Sequence, residues 1–290
     1  MGAKDVVEKT LEEYNDVFAD IVNVLLFQGQ RIIKENELDD ALPRSHYKAD
    51  STIHELERDT AKFWKNGQIR ISLIGLENQT CTDDDMPLRI IAYDGIAYRK
   101  QLLHSSKQRF PVVTLVLYFG ERPWTTHTRL SECFEIPEIL QPYVNDYRIN
   151  VFDISALAEE QVAQFQSDFR IVADFFVQKR KNKGYAPSAQ KIQHVNEILE
   201  FMAVMTADQR FEEAQKTVWK EETNMCNIID QYIDLGIEKG IEQGMTKGIE
   251  AIVEFCREDG KSMDTATEKI MEKFSLPLDK AKEYVNRFWN

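Results

Sequence analysis

The stretch "RFPVVTLVLYFG", residues 109–120, limits the possible folds of this chain more than any other segment. It is a continuous apolar run rich in Val and Leu, ended by Gly120 and Pro123. At this length it is a strand, and an unbroken apolar strand is buried on both faces. Strands of that kind occur inside α/β sheets, where helices cover both sides. The chain is therefore expected to form an α/β sandwich around this strand.

The surrounding sequence supplies those helices and further strands. Val7, Leu11, Tyr14, Phe18, Ile21, Val22 and Leu25 keep helical spacing and predict a helix over 4–35, interrupted at Gly29. Residues 36–50, with Asp39, Asp40, Pro43 and Ser45, read as a loop. "ELERDTAKFWKNGQIRISLIGLENQ" (55–79) has two apolar stretches around Asn66-Gly67, a strong hairpin signal. Asp59 then lies on or just before one strand, and Glu77 ends its neighbour. After the polar loop Thr82-Asp83-Asp84-Asp85, Pro87 suits the first turn of a helix reaching about Leu103. "RINVFDIS" (148–155) is a further strand, and "AEEQVAQFQSDFRIVADFFVQKR" (158–180) an amphipathic helix.

The texture changes near residue 186. "PSAQKIQHVNEILEFMAVM" and "ADQRFEEAQKTVWKEETNMCNIIDQYI" are helical in pattern. A repeat follows, with Gly236, Gly240, Gly244 and Gly248 each opening a four-residue unit and Ile237, Ile241, Met245 and Ile249 alongside. Each unit advances about 40° around a helix, so the stripe winds about its axis. Four glycines at up to about 1 kcal/mol each disfavour an isolated helix. Either this segment packs closely on another helix, or it is a weakly helical linker. The last stretch reads as two short helices broken at Ser275-Leu276-Pro277.

Composition narrows the function. With 290 residues, 43% hydrophobic and 10% aromatic, the chain can hold one domain plus a sizeable extension, or two small domains, and wholesale disorder is not expected. A net charge of −13 argues against coating nucleic acid by bulk electrostatics. Local basic surface remains available at Arg89, Arg99 and Lys100, and at Lys179, Arg180, Lys181 and Lys183, unless these are solvated faces. The four cysteines form no C-x-x-C and sit at no zinc spacing with the five histidines, so they read as reduced thiols. No apolar run approaches the 18 or so residues of a membrane span, and no leader pattern opens the sequence; a cytoplasmic location is expected.

One segment carries chemistry. "LIGLENQT" (73–80) leaves a buried run on an acid and an amide two residues apart. In a strand, Glu77 and Gln79 share a face. With Asp59 on the neighbouring strand and Asp20 on the first helix, three acids are candidates for a divalent ion such as Mg²⁺, which takes one or two carboxylates and keeps waters. Such an ion activates water against a phosphate, and Gln79 is placed to set that water. A two-residue turn at Asn66-Gly67 raises a difficulty, because it pairs Lys65 with Gln68 and Asp59 with Ile74. That leaves Asp59 roughly 10 Å short of Glu77 at about 3.4 Å per residue, so a bulge or bend must close the gap. The plainer reading makes Asp59 and Glu77 exposed strand-end acids, with Arg58 as a surface partner.

The pieces "FADIVNVLLFQGQ" (18–30), "ERDTAKF" (57–63), "LIGLENQT" (73–80), "MPLRIIAYDGIAY" (86–98), "PVVTLVLYFG" (111–120) followed by Trp124, and "NDYRINVFDI" (145–154) occur in this order. As an ordered set they resemble the recombination-promoting nuclease (Rpn) family, transposase-like proteins of the PD-(D/E)XK nuclease superfamily. The glycine repeats resemble that family's C-terminal segment, and the likeness covers about residues 10–250.

The resemblance implies a bacterial Mg²⁺-dependent DNA endonuclease, with Mn²⁺ as a substitute ion. It implies a restriction-endonuclease-like α/β core over 1–185 and an all-helical C-terminal region over 186–290. It assigns Asp59 and Glu77 as the two acids, and Gln79 to the place usually held by Lys. Asp20 matches the first-helix acid, with Asp16 as its rival. Arg89 and Tyr93, i and i+4 on one helix, match an Arg and a Tyr of the helix that follows the catalytic strand and are the candidate phosphate- and DNA-binding residues, Arg89 through its planar fork; a salt bridge from Arg89 to Asp85 is the alternative. An amide in place of Lys can orient water but adds no positive charge at the phosphorane, which suits a weak or tightly regulated nuclease. The implied partner is double-stranded DNA, bound by a homodimer whose interface is the glycine-repeat helix, with no membrane involved. The competing reading is a catalytically silent α/β scaffold that binds and oligomerises.

Overall fold

In the computed structural model, the structure describes residues 10–41, 44–49, 52–57, 59–67, 69–103, 108–181, 185–186, 189–206, 211 and 223–289. The chain divides into two compact units, 1–226 and 227–290. That division falls later than the change of texture at residue 186.

The first unit is built on a five-stranded mixed sheet. Its strands are β1 (Leu38–Asp40), β4 (Thr60–Asn66), β5 (Ile69–Gln79), β6 (Val112–Tyr118) and β7 (Asn150–Asp153), ordered β1-β4-β5-β6-β7. β4 runs antiparallel to both its neighbours, β1 and β5, while β5, β6 and β7 are parallel. β6 is the "VVTLVLY" strand, interior to the sheet and buried along nearly its whole length, as an unbroken apolar run requires. Helix α1 (Asn15–Leu25) lies on one face, where the buried Lys62 of β4 donates to the Glu13 carbonyl at 2.7 Å and sits 5.8 Å from the Phe18 ring. Helix α2 (Met86–Leu103) lies on the other, with Met86, Ile90 and Tyr93 packed on Val116 and Ile149. The α/β class and a helical C-terminal region are therefore present.

Four local expectations are corrected. The first helix stops at Leu25 instead of reaching 35. Buried Asn23 folds the chain back, its Oδ1 accepting the N–H groups of Ile32 (3.1 Å) and Ile33 (2.9 Å). Its backbone carbonyl takes the Gly29 N–H at 2.9 Å, with Gln28 and Gly29 at positive φ. Residues 36–50 are not simply a loop. They contribute β1 and also β2 (Arg44–Ala49), which pairs with β3 (Thr52–Glu57) in a separate ribbon.

The expected helix over 158–180 is two, α3 (Glu159–Val162) and α4 (Phe169–Arg180). Asp20 captures the backbone between them, accepting the N–H groups of Gln166 (2.8 Å) and Ser167 (2.7 Å). The helices read over 187–233 are interrupted as well: β8 (Lys191–Ile192) precedes α5 (Val195–Thr206) and pairs with β9 (Thr223–Asn224). Residues 207–210 and 212–222 lie outside the described residues.

The glycine repeats lie within a single helix, α6 (Met225–Glu258). In the second unit α6 packs with α7 (Met263–Phe274) and α8 (Leu278–Phe288) around Ile249, Val253, Cys256, Ala266, Ile270, Ala281 and Val285. The break at 275–277 is as expected, with Ser275 left-handed at φ 52°. Among the described glycines of α6, only Gly248 makes the expected close approach. A Cβ there would stand 2.9 Å from Phe274 Cζ, whereas Cβ atoms at Gly240 and Gly244 would meet nothing within 4 Å. Gly240→Ala and Gly244→Ala are accordingly expected to stabilise α6 by up to about 1 kcal/mol each. Gly248→Ala is expected to lose that gain to the clash, and thermal melting of the three variants checks the order. The side chain of Ile237 lies outside the described residues. Among the described residues, no helix is long and apolar enough to cross a membrane.

Candidate functional site

The site depends on strand register. The turn pairs Asn66 with Ile69, not Lys65 with Gln68, and Gly67 takes φ 62°, a conformation that favours glycine. A β-bulge between Trp64 and Lys65 then shifts the ladder, so that Trp64 faces Ser72 and Thr60 faces Leu76. Continued one residue past the end of β4, that register puts Asp59 level with Glu77. The turn contributes two residues of shift and the bulge one, which closes the gap that a turn at Asn66-Gly67 would have left. Asp59 Oδ2 accepts the backbone N–H of Asn78 at 2.7 Å, fixing its carboxylate against the end of β5.

Glu77 and Gln79 point to the face covered by α2. The Glu77 side chain is only 3% exposed, which excludes the reading as a solvent-facing acid. Its Oε1 takes Arg89 Nη2 at 2.6 Å and, at the limit of a hydrogen bond, the Gln79 amide at 3.5 Å. Arg89 also reaches Asp83 with Nη1 at 3.0 Å, and it hydrogen-bonds Tyr93 one turn along α2. The Arg89–Asp85 salt bridge considered from spacing is replaced by these two. Asp85 instead donates its N–H to Asp83 Oδ1 at 2.9 Å, where the chain enters α2.

The electrostatics are those of a shared cluster. Burial opposes the charge of Arg89, but the Tyr93 hydrogen bond and the Glu77 carboxylate outweigh it and hold the guanidinium more basic than usual. Burial raises the Tyr93 phenol, and the charge of Glu77 raises it further; Arg89 pulls the other way and Asp59 adds to the rise. Asp59, Glu77, Arg89 and Tyr93 thus share one electrostatic environment.

Asp20 is not brought to this group. Its buried carboxylate is engaged by Arg31 through Oδ1, and by the backbone at 166–167 and the Ser167 hydroxyl (2.7 Å) through Oδ2. The rival Asp16 pairs with His194 Nε2 at 3.1 Å. Among the described residues no three His, Cys, Asp or Glu side chains form a metal-binding group. The three-acid constellation is corrected to two acids and an amide, with an arginine beside them.

Spacing alone does not single out Asp83 as a partner of Arg89; its position six residues ahead, in the loop entering α2, is the available signal. The row continues across the sheet, where Gln79 is in register with Tyr118 and Tyr118 with Asp153. The expected basic patch is tied up: Lys179 pairs with Glu121 (3.3 Å), Arg180 with Asp153 (2.8 Å) and Lys181 with Glu159 (3.0 Å), while Lys183 lies outside the described residues.

These observations define an α/β protein with a buried acidic site at the ends of its central strands, faced by an arginine from the following helix. Residues 67–207 match the family model described as "Putative transposase, YhgA-like". Over those residues the chain is similar to that family, the recombination-promoting nuclease group. Glu77, Gln79, Arg89 and Tyr93 fall inside the matched segment, while Asp20 and Asp59 precede it. No curated protein and no solved structure matches the chain. That match points to transposase- or nuclease-like function.

Proposed function

We propose that the chain is a metal-dependent endonuclease of PD-(D/E)XK type that hydrolyses phosphodiester bonds in double-stranded DNA. The observation that carries this reading is the register that sets Asp59 level with the buried Glu77. Two carboxylates at adjacent strand ends, with an amide alongside, are a hard oxygen-donor set and fit Mg²⁺ or Mn²⁺. Asp59 and Glu77 would hold the ion, which when bound supplies charge neutralisation and a more acidic water. Gln79 orients the attacking water through its amide. Arg89 presents its planar fork to phosphate oxygens, and Tyr93 keeps that fork aligned. Cutting both strands of a duplex calls for two such sites, so a homodimer is part of the proposal.

The silent-scaffold reading draws on one observation, the neutralisation of Glu77 by Arg89. Calorimetry separates the two. If saturating Mg²⁺ or Mn²⁺ gives neither heat nor a rise in melting temperature, the scaffold reading stands. The direct test is nicking of supercoiled plasmid in Mg²⁺. Asp59→Ala is expected to lose activity by about 10²- to 10³-fold, the scale seen when one electrostatic contact to a transition state is removed. Equal nicking by both proteins rejects the endonuclease.

A further inference from the structure

Arg89 is placed where it conflicts with its own proposed task. A guanidinium meant for phosphate lies instead 2.6 Å from Glu77 Oε1, on the carboxylate that would hold a cation. Its other arm is on Asp83 at 3.0 Å. One guanidinium thus serves two carboxylates, with a third, Asp59, immediately before the neighbouring strand β4. Glu77 is buried and needs a counter-charge in any state in which it is ionised.

We propose that Arg89 is the internal counter-ion of Glu77, and that the Glu77–Arg89 pair and a divalent cation exclude each other. This rests on the reading that Glu77 holds the metal. A cation bound to the Glu77 carboxylate repels a guanidinium within hydrogen-bond reach of the same oxygens, and little solvent is present to screen the repulsion. The guanidinium does not leave the site when displaced, because Asp83 and Tyr93 still hold it. Its side chain is 38% exposed, so a phosphate arriving from solvent can reach it.

Two consequences follow. Without a cation the site is self-neutralised, which keeps Arg89 away from phosphate and makes phosphate capture depend on metal. By reciprocity, a phosphate that draws Arg89 off Glu77 must tighten the cation by the same factor. The short contact is thereby a metal-gated latch on the phosphate clamp, in keeping with the absence of the usual lysine.

The test is Mn²⁺ titration of the full chain without nucleic acid, followed by electron paramagnetic resonance of the free ion. Arg89→Met keeps the aliphatic stem and removes the charge. It is expected to bind Mn²⁺ about tenfold more tightly than the wild type, within the usual 5- to 150-fold range of coupling between sites. Arg99→Ala, on the exposed side of the same helix, controls for loss of positive charge alone and is expected to leave affinity unchanged. Asp83→Asn confines the guanidinium to Glu77 and is expected to weaken Mn²⁺ binding; it serves alone if Arg89→Met does not fold by circular dichroism. Unchanged or weaker binding by folded Arg89→Met, or equal tightening by Arg99→Ala, overturns the latch while leaving the metal site intact. If the wild type and Arg89→Met both fold and neither binds Mn²⁺, the endonuclease reading falls, and the latch with it.

Discussion

Asp20→Ala is expected to lower the stability of the first unit by about 3 kcal/mol while leaving cleavage by the folded protein unchanged. The acid is buried and forms a junction: Arg31 on one oxygen, two backbone N–H groups and a hydroxyl on the other. Its removal strands the Ser167 N–H in a buried position and leaves Arg31 without this carboxylate. The exposure of Arg31 to solvent keeps the loss below the upper range for a broken buried pair. For a unit of this size the melting temperature should fall by roughly 6–12 °C. Thermal denaturation and plasmid nicking at low temperature check the two halves. Lost nicking at unchanged stability would return Asp20 to the site.

Glu77→Gln is expected to do the opposite. The amide keeps the volume and the packing under α2, and Arg89 retains Asp83 and Tyr93. A charged hydrogen bond worth about 1.5–3 kcal/mol is lost, but so is the cost of burying a carboxylate, and the two largely offset. Stability should therefore move by no more than about 1–2 kcal/mol. Cleavage should fall by at least about 10³-fold, because a neutral amide cannot replace the carboxylate of a two-acid metal site. Melting curves paired with single-turnover nicking decide it. Residual cleavage near the wild-type rate would mean that Glu77 serves only to hold Arg89.

Asp20 and Glu77 look alike in the sequence, each an acid inside an apolar run, and their separation shows what such reading misses. The Glu-x-Gln spacing was informative because strand geometry is local: residues two apart share a face whatever the strand packs against. Asp20 sits on a helix, where its direction is known but its partner is not. That partner came from 166–167, nearly 150 residues away, where the periodic pattern suggested an unbroken helix. Asp83 was hidden for a different reason, since it lies close in sequence. A loop acid and a helix arginine six apart are common, and only the entry angle of α2 sets them against Glu77 together.

The amino-acid sequence alone determined that an α/β sheet forms around β6, that a hairpin precedes it, and that Glu77 and Gln79 emerge together at the end of a buried strand. These follow from side-chain periodicity and turn chemistry, which act over a few residues. Only the tertiary structure decided the bulge beside Trp64 that sets Asp59 level with Glu77, the capture of Asp20 by a distant backbone, and the pairing of Arg89 with two acids. A carboxylate goes where burial and competing donors leave it most stable, and which donors compete is known only once the whole unit has packed.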